Sequence, residues 1–126
     1  MAKRSVSLKI TTDDQTTTTC TVGLMKDQQL SFYDDDKTKH KIIIGTNQVI
    51  YQKYGEAELD FEFKPTTKTI GSYTYLGNTM KFDIITQKYQ VKHDEIDIAY
   101  SLYQDEIKQH EAQLYLKYTT MKEGKK

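Results

Sequence analysis

The stretch that decides the fold runs from Lys68 to Tyr103 and reads KTIGSYTYLGNTMKFDIITQKYQVKHDEIDIAYSLY. Apolar and polar side chains alternate through it with a period of two residues, and no helical period is present. Met80, Phe82 and Ile84 fall on one face of an extended strand, and the same alternation continues from Ile96 to Leu102. Strands with one apolar face are typical of antiparallel sheets. The stretch therefore predicts consecutive antiparallel strands.

Two local features within this stretch predict how the strands connect and bend. Gly77 and Asn78 can both adopt positive φ, which predicts a tight hairpin turn between the seventh and eighth strands. In the strand that follows, apolar positions are first even-numbered but become odd at Tyr89 and Val91. A β-bulge within residues 85–88 would restore the inward direction of these side chains and bend the strand.

The rest of the chain predicts further short strands separated by polar turns. Thr16 to Leu24 is one of them, and we assign Cys20 and the residues that alternate with it to its inner face. Glu106 to Thr119 is predicted as the last strand, with a helix over 105–115 as the alternative. About ten strands with short turns favour a meander, and closing a meander removes its exposed edges. We therefore predict an all-β fold, a single up-and-down antiparallel β-barrel of about 8–10 strands.

Length and composition indicate one domain and limit its partners. The 126 residues are predicted to form a barrel over 6–120 with flexible tails at 1–5 and 121–126. Eighteen basic and eighteen acidic residues give no net charge, so we expect neither nucleic acid nor a membrane as a partner. One cysteine and no apolar segment of targeting length predict a cytoplasmic protein. We expect a monomer or weak homodimer.

The residue types that carry chemistry show no recognisable catalytic or metal-binding spacing. His40, His93 and His110 lie in or beside predicted turns, and Asp34 to Asp36 lacks the glycine and glutamate of a calcium loop. We interpret the acidic run as a solvated hairpin tip and Cys20 as a packed core thiol. The sequence predicts no metal, no cofactor and no catalytic residue.

Aromatic residues are the most informative feature of the composition, with ten Tyr, four Phe and no Trp. Most are expected to pack in the core or in cross-strand pairs. Alternatively, several tyrosines project hydroxyl groups into the barrel and orient a ligand. A third possibility is an outer platform that stacks single-stranded nucleic acid, which the zero net charge disfavours; its members would be Tyr33, Tyr51, Tyr73 and Tyr75.

Several segments, taken in order, resemble the YwiB-like family of small bacterial proteins of unknown function. They are Gly23, Leu30 to Tyr33 with the acidic run after it, Lys53 to Gly55, Ser72 to Gly77, Thr86 and Ile96 to Leu102. The resemblance covers roughly Val6 to Tyr118. It implies a calycin-like barrel similar to lipocalins, and it implies no catalytic residues.

Three functions are compatible with such a barrel, because a fold does not fix a function. The first is a non-enzymatic binder of a small apolar or amphipathic molecule in the barrel interior. The second is an interaction or structural module with a filled barrel, and the third is an enzyme of unknown type. The absence of tryptophan, the presence of only four phenylalanines and small or polar inner-face residues such as Thr74, Thr86 and Ala112 favour an incompletely filled interior. Its predicted lining is Phe61, Phe82, Ile98, Tyr100 and Leu114, with the Tyr100 hydroxyl as polar anchor.

Overall fold

The structure, a computed structural model, describes residues 2–121 and is built from β-strands alone within that range. Ten strands follow one another as a meander, each antiparallel to the next, and the first pairs with the last to close a barrel. The predicted all-β up-and-down barrel is confirmed, with the strand number at the upper end of the predicted range. The strands are β1 (Ala2–Thr11), β2 (Thr16–Lys26), β3 (Gln29–Tyr33), β4 (Lys39–Gly45), β5 (Gln48–Tyr54), β6 (Ala57–Phe63), β7 (Lys68–Tyr75), β8 (Asn78–Val91), β9 (Glu95–Gln104) and β10 (Ile107–Thr120).

The barrel is closed by the pairing of β1 with β10. Leu8 lies opposite Leu116, and the ladder extends to Arg4 opposite Thr120. The first strand therefore begins at Ala2, inside the segment predicted as an amino-terminal tail. Met1 and residues 122–126, which include most of the predicted carboxyl-terminal tail, lie outside the described residues. Residues 2–121 contain no helix long and apolar enough to cross a lipid bilayer.

The β7–β8 hairpin is present, but its turn is shifted by one residue from the prediction. Leu76 and Gly77 are the two central residues, with φ of 51° and 78°. Asn78 is the first residue of β8 and pairs with Tyr75. A two-residue turn of this kind needs positive φ at both central positions. The exposed Leu76 therefore occupies a backbone conformation that suits asparagine or glycine better.

Two predictions about the later strands are confirmed. The pairing of β8 with β9 shifts register between Thr86 and Lys88, which is the predicted bulge, and Tyr89 beyond it packs against the core. The last segment is a strand and not a helix, with a second irregularity between Lys108 and His110.

The inner face of β2 is opposite to the one predicted. Val6 and Leu8 of β1 are buried, and their cross-strand partners are Thr21 and Thr19. Because directly paired residues point to the same side of a sheet, these threonines face the interior. Cys20 is consequently exposed on the outer surface and is not a core thiol.

The barrel interior is filled at only one of its two ends. The turns that follow the even-numbered strands, together with Ala2 and Thr120, lie at one end, which we call the closed end. The other end, where the β1–β2 and β3–β4 loops lie, is called the mouth. The fully buried aliphatic and aromatic side chains below the mouth include Leu30, Ile42, Val49, Phe63, Ile84, Ile96, Ile98, Leu114 and Leu116.

Candidate ligand-binding cavity

A cavity of about 740 Å³ occupies the mouth half of the barrel. Its floor is apolar and nearly buried, and its rim carries polar side chains from the loops. The floor includes Leu8, Phe61, Phe82, Tyr100 and Leu102. The rim includes Thr12, Asp14, Gln15, Asp36, Thr38 and His110.

Small side chains on the two strands that flank β1 leave this half of the barrel unfilled. Thr17 and Thr19 of β2 line the cavity, and Ala112 of β10 lines it where the same strand has Leu114 and Leu116 in the packed half. The threonines are inward-facing because of the register with β1 described above. The size of the inward-facing side chain on β10 thus changes between the packed half and the cavity.

The five residues predicted to line the interior separate into two groups. Phe61, Phe82 and Tyr100 line the cavity. Ile98 and Leu114 do not, because both are fully buried in the packed half below it. They lie on the predicted inner faces but one layer too deep. That any of the five contacts a ligand stays a prediction.

A chain of hydrogen bonds runs along the cavity wall from the β3–β4 loop through β4 to β5. The Oδ2 atom of Asp34 lies 2.9 Å from Nε2 of His40, and Nδ1 of His40 lies 2.8 Å from the hydroxyl oxygen of Tyr51. His40 and Tyr51 are 5% and 2% exposed. All three residues line the cavity. We call this set the Asp–His–Tyr chain.

Local structure holds both ends of the Asp–His–Tyr chain. The backbone N–H groups of Asp36 and Thr38 donate to Oδ1 of Asp34, at 2.9 and 3.0 Å. The ring of Phe32 stacks on His40, with the planes 3° apart and the centroids 4.9 Å apart. Asp34 therefore has both carboxylate oxygens engaged, and the imidazole has little freedom to turn.

The charge states along the chain follow from burial and hydrogen bonding. Burial acts to raise the pKa of Asp34, but the hydrogen bonds from His40, Thr38 and Asp36 outweigh it and lower that pKa below the ordinary value. Burial lowers the pKa of His40, despite the opposing effect of Asp34. At neutral pH the carboxylate is therefore ionised and the imidazole neutral.

Two phenols of the cavity, those of Tyr51 and Tyr100, remain protonated at neutral pH. Burial is the main cause that raises the pKa of Tyr51 well above its ordinary value, and the neighbouring Tyr100 and Asp34 contribute to the same shift. Burial alone raises the pKa of Tyr100 to about 12. Although a carboxylate, an imidazole and a hydroxyl also form the triads of hydrolases, a phenol with a raised pKa is a poor nucleophile. The Asp–His–Tyr chain is therefore better suited to orienting a hydrogen bond to a ligand than to covalent chemistry.

The residue pattern does not reveal the Asp–His–Tyr chain. It predicts a solvated hairpin tip for Asp34 and a position beside a turn for His40, and it links neither residue to Tyr51. The alternation of His40 with Ile42 and Ile44, all on the inner face of β4, was a usable signal. The hydrogen bond of Asp34 to His40 depends on the conformation of the β3–β4 loop, which the residue pattern does not specify.

The other candidate residues lie outside a shared site. Tyr33 and Tyr75 are exposed while Tyr51 and Tyr73 line the cavity, so the four do not form one outer platform. The exposed Cys20 is absent from the cavity lining. Among residues 2–121, histidine, cysteine and acidic side chains form no cluster of three that could hold a metal ion.

Comparison with known proteins identifies a family and a fold. The model of a family described as "Domain of unknown function (DUF1934)" matches residues 5–116. The crystal structure of the ywiB protein from Bacillus subtilis superposes with a TM-score of 0.75 at 17% sequence identity, covering 96% of this chain and 93% of that one. At this identity the likeness shows the fold. No curated protein matches the chain.

Proposed function

The chain belongs to the DUF1934 family, and we propose that it is a non-enzymatic binder of a small apolar or amphipathic molecule. The ligand occupies the mouth half of the barrel and undergoes no chemical change. We further propose a cytoplasmic setting, because the single exposed Cys20 suits a reducing compartment.

The observation that carries this proposal is the cavity itself. Its volume of about 740 Å³ falls in the range of small-molecule sites, which are roughly 300–1,000 Å³. Such sites combine an apolar lining with a few placed polar groups. Phe61, Phe82 and Tyr100 supply the apolar floor, and the Asp–His–Tyr chain supplies fixed polar groups beside it.

The cavity also favours a binder over the two alternatives. An interaction module with a filled barrel would have no cavity lined by buried aromatic rings, whereas this barrel has one. An enzyme needs an activated group, and the raised pKa values of Tyr51 and Tyr100 oppose activation of either phenol.

The test is titration of the purified protein with an apolar fluorophore whose emission rises in an apolar site. Ala112→Trp places an indole inside the cavity from β10. Lys117→Trp places the same indole on the exposed outer face of the same strand and is the matched control. We expect wild type and Lys117→Trp to bind alike, and Ala112→Trp to bind about tenfold more weakly.

Circular dichroism and unfolding curves establish that both variants are folded. Equal fluorophore affinity in all three proteins would place the probe outside the cavity and contradict the proposal. Absence of binding to wild type would contradict it as well.

A further inference from the structure

The direction of every hydrogen bond in the Asp–His–Tyr chain is determined by its carboxylate end. Asp34 is ionised and accepts only, so Nε2 of His40 must carry the proton that it donates. The imidazole is neutral, so Nδ1 carries no proton and must accept. The Tyr51 hydroxyl therefore donates to Nδ1, and its remaining lone pairs are the only hydrogen-bonding capacity that it can offer the cavity.

The charges around the cavity act in the same direction. Its lining contains three carboxylates, from Asp14, Asp34 and Asp36, and one ammonium group, from Lys53. Counting only these four groups, the lining carries a net charge of −2. Lys53 is the cross-strand partner of His40, and its charge contributes to lowering the pKa of that residue. One lysine does not reverse the sign of a lining with three carboxylates.

We propose that the polar group of the ligand is a hydrogen-bond donor, an alcohol or a primary amine, which donates to the Tyr51 hydroxyl oxygen while the apolar body lies on the aromatic floor. A carboxylate at this position meets lone pairs and a net negative lining, so fatty acids are selected against. This inference rests on the proposed function and specifies the ligand class of the same cavity.

The Tyr100 hydroxyl is compatible with such a head group. Among residues 2–121 it has no side-chain partner within hydrogen-bonding distance, and its residue is 5% exposed. A hydroxyl can donate or accept, so an alcohol that donates to Tyr51 can accept from Tyr100. A primary amine donates its N–H groups, and the hydroxyl oxygens of both Tyr51 and Tyr100 can accept them.

The experiment compares three ligands that differ only in the head group. Octanol, octylamine and octanoate are titrated at neutral pH against the protein carrying the bound fluorophore. We expect octanol and octylamine to displace the fluorophore at concentrations about tenfold lower than octanoate, a factor in keeping with one hydrogen bond gained or left unmade.

Two variants assign the preference to a residue. Tyr51→Phe removes the acceptor but leaves the charges of the lining, so the preference for octanol over octanoate should fall by about threefold or more. Tyr33→Phe removes an exposed phenol outside the cavity and should leave the preference unchanged. Retained fluorophore binding reports that each variant keeps its fold and its cavity.

The outcomes separate this inference from the function on which it rests. Fluorophore binding with equal or tighter displacement by octanoate would overturn the inference and leave the binder intact. A wild-type preference that persists in Tyr51→Phe would overturn the assignment to Tyr51. Absence of fluorophore binding to wild type would overturn both.

Discussion

Gly71 of β7 supports the aromatic floor of the cavity, and replacing it with alanine should disturb both stability and binding. A Cβ atom at position 71 would lie 2.5 Å from Cδ1 of Phe61 and 2.7 Å from Cδ1 of Ile84. Unstrained carbon contacts are about 3.5–4.0 Å, so about 1 Å of displacement is needed. Phe61 cannot supply it freely, because its ring meets Phe63 and Tyr100 edge-on at 6.3 and 6.1 Å.

Overpacking of this kind costs about 1–3 kcal/mol, and we expect about 2 kcal/mol for Gly71→Ala in urea unfolding. The open direction for the Phe61 ring is into the cavity, so fluorophore affinity should fall as well. Gly45→Ala is the matched control, since the nearest atom to its Cβ would be 3.6 Å away. It should be neutral or stabilising by up to about 1 kcal/mol. Equal free energies of unfolding for the two variants would refute this account of the floor.

Two further predictions concern the hairpin and pH. Leu76→Asn should stabilise the protein by about 1 kcal/mol, because asparagine tolerates positive φ and replacing the exposed leucine loses no packing. Leu24→Asn, on the outer face of β2, is the control and should give no such gain. Equal unfolding midpoints for the two variants would contradict backbone strain at Leu76. Because the pKa of His40 is lower in the folded chain, the unfolded chain binds its proton first, so stability should fall as pH decreases from about 7 to 5. In His40→Gln the free energy of unfolding, measured in urea, should depend less on pH over this range. An unchanged dependence on pH would argue against His40 as its source.

The residue pattern predicted those parts of the fold in which large apolar side chains alternate. In β8 and β9 the side chains of Phe82, Ile84 and Ile98 left one possible inner face, and the change of phase before Tyr89 located the bulge. In β2 every inward position is a threonine, a glycine or Met25, so hydrophobicity favoured the wrong face. Only the register with β1, which no local pattern encodes, assigns that face correctly.

The candidate site was predictable in its apolar part alone. Phe61, Phe82 and Tyr100 could be assigned to the interior by alternation, but the depth at which packing ends could not, and Ile98 was placed too high. The hydrogen bond between Asp34 and His40 requires a conformation of the β3–β4 loop that brings the Asp34 carboxylate beside the His40 ring. Loop conformations of this kind depend on backbone hydrogen bonds, which residue types do not specify uniquely.

The pairing of β1 with β10 has a consequence for how the protein acquires its cavity. Every other pair of strands is a hairpin of sequence neighbours, whereas the contact between Arg4 and Thr120 spans 116 positions. Closing so long a loop is entropically costly and slow compared with forming local hairpins. A nascent chain can therefore assemble much of its meander before these two strands meet, but until they do the sheet has two free edges and no enclosed interior. Only the closed form can enclose a ligand, so a ligand that binds this form would favour the pairing of β1 with β10.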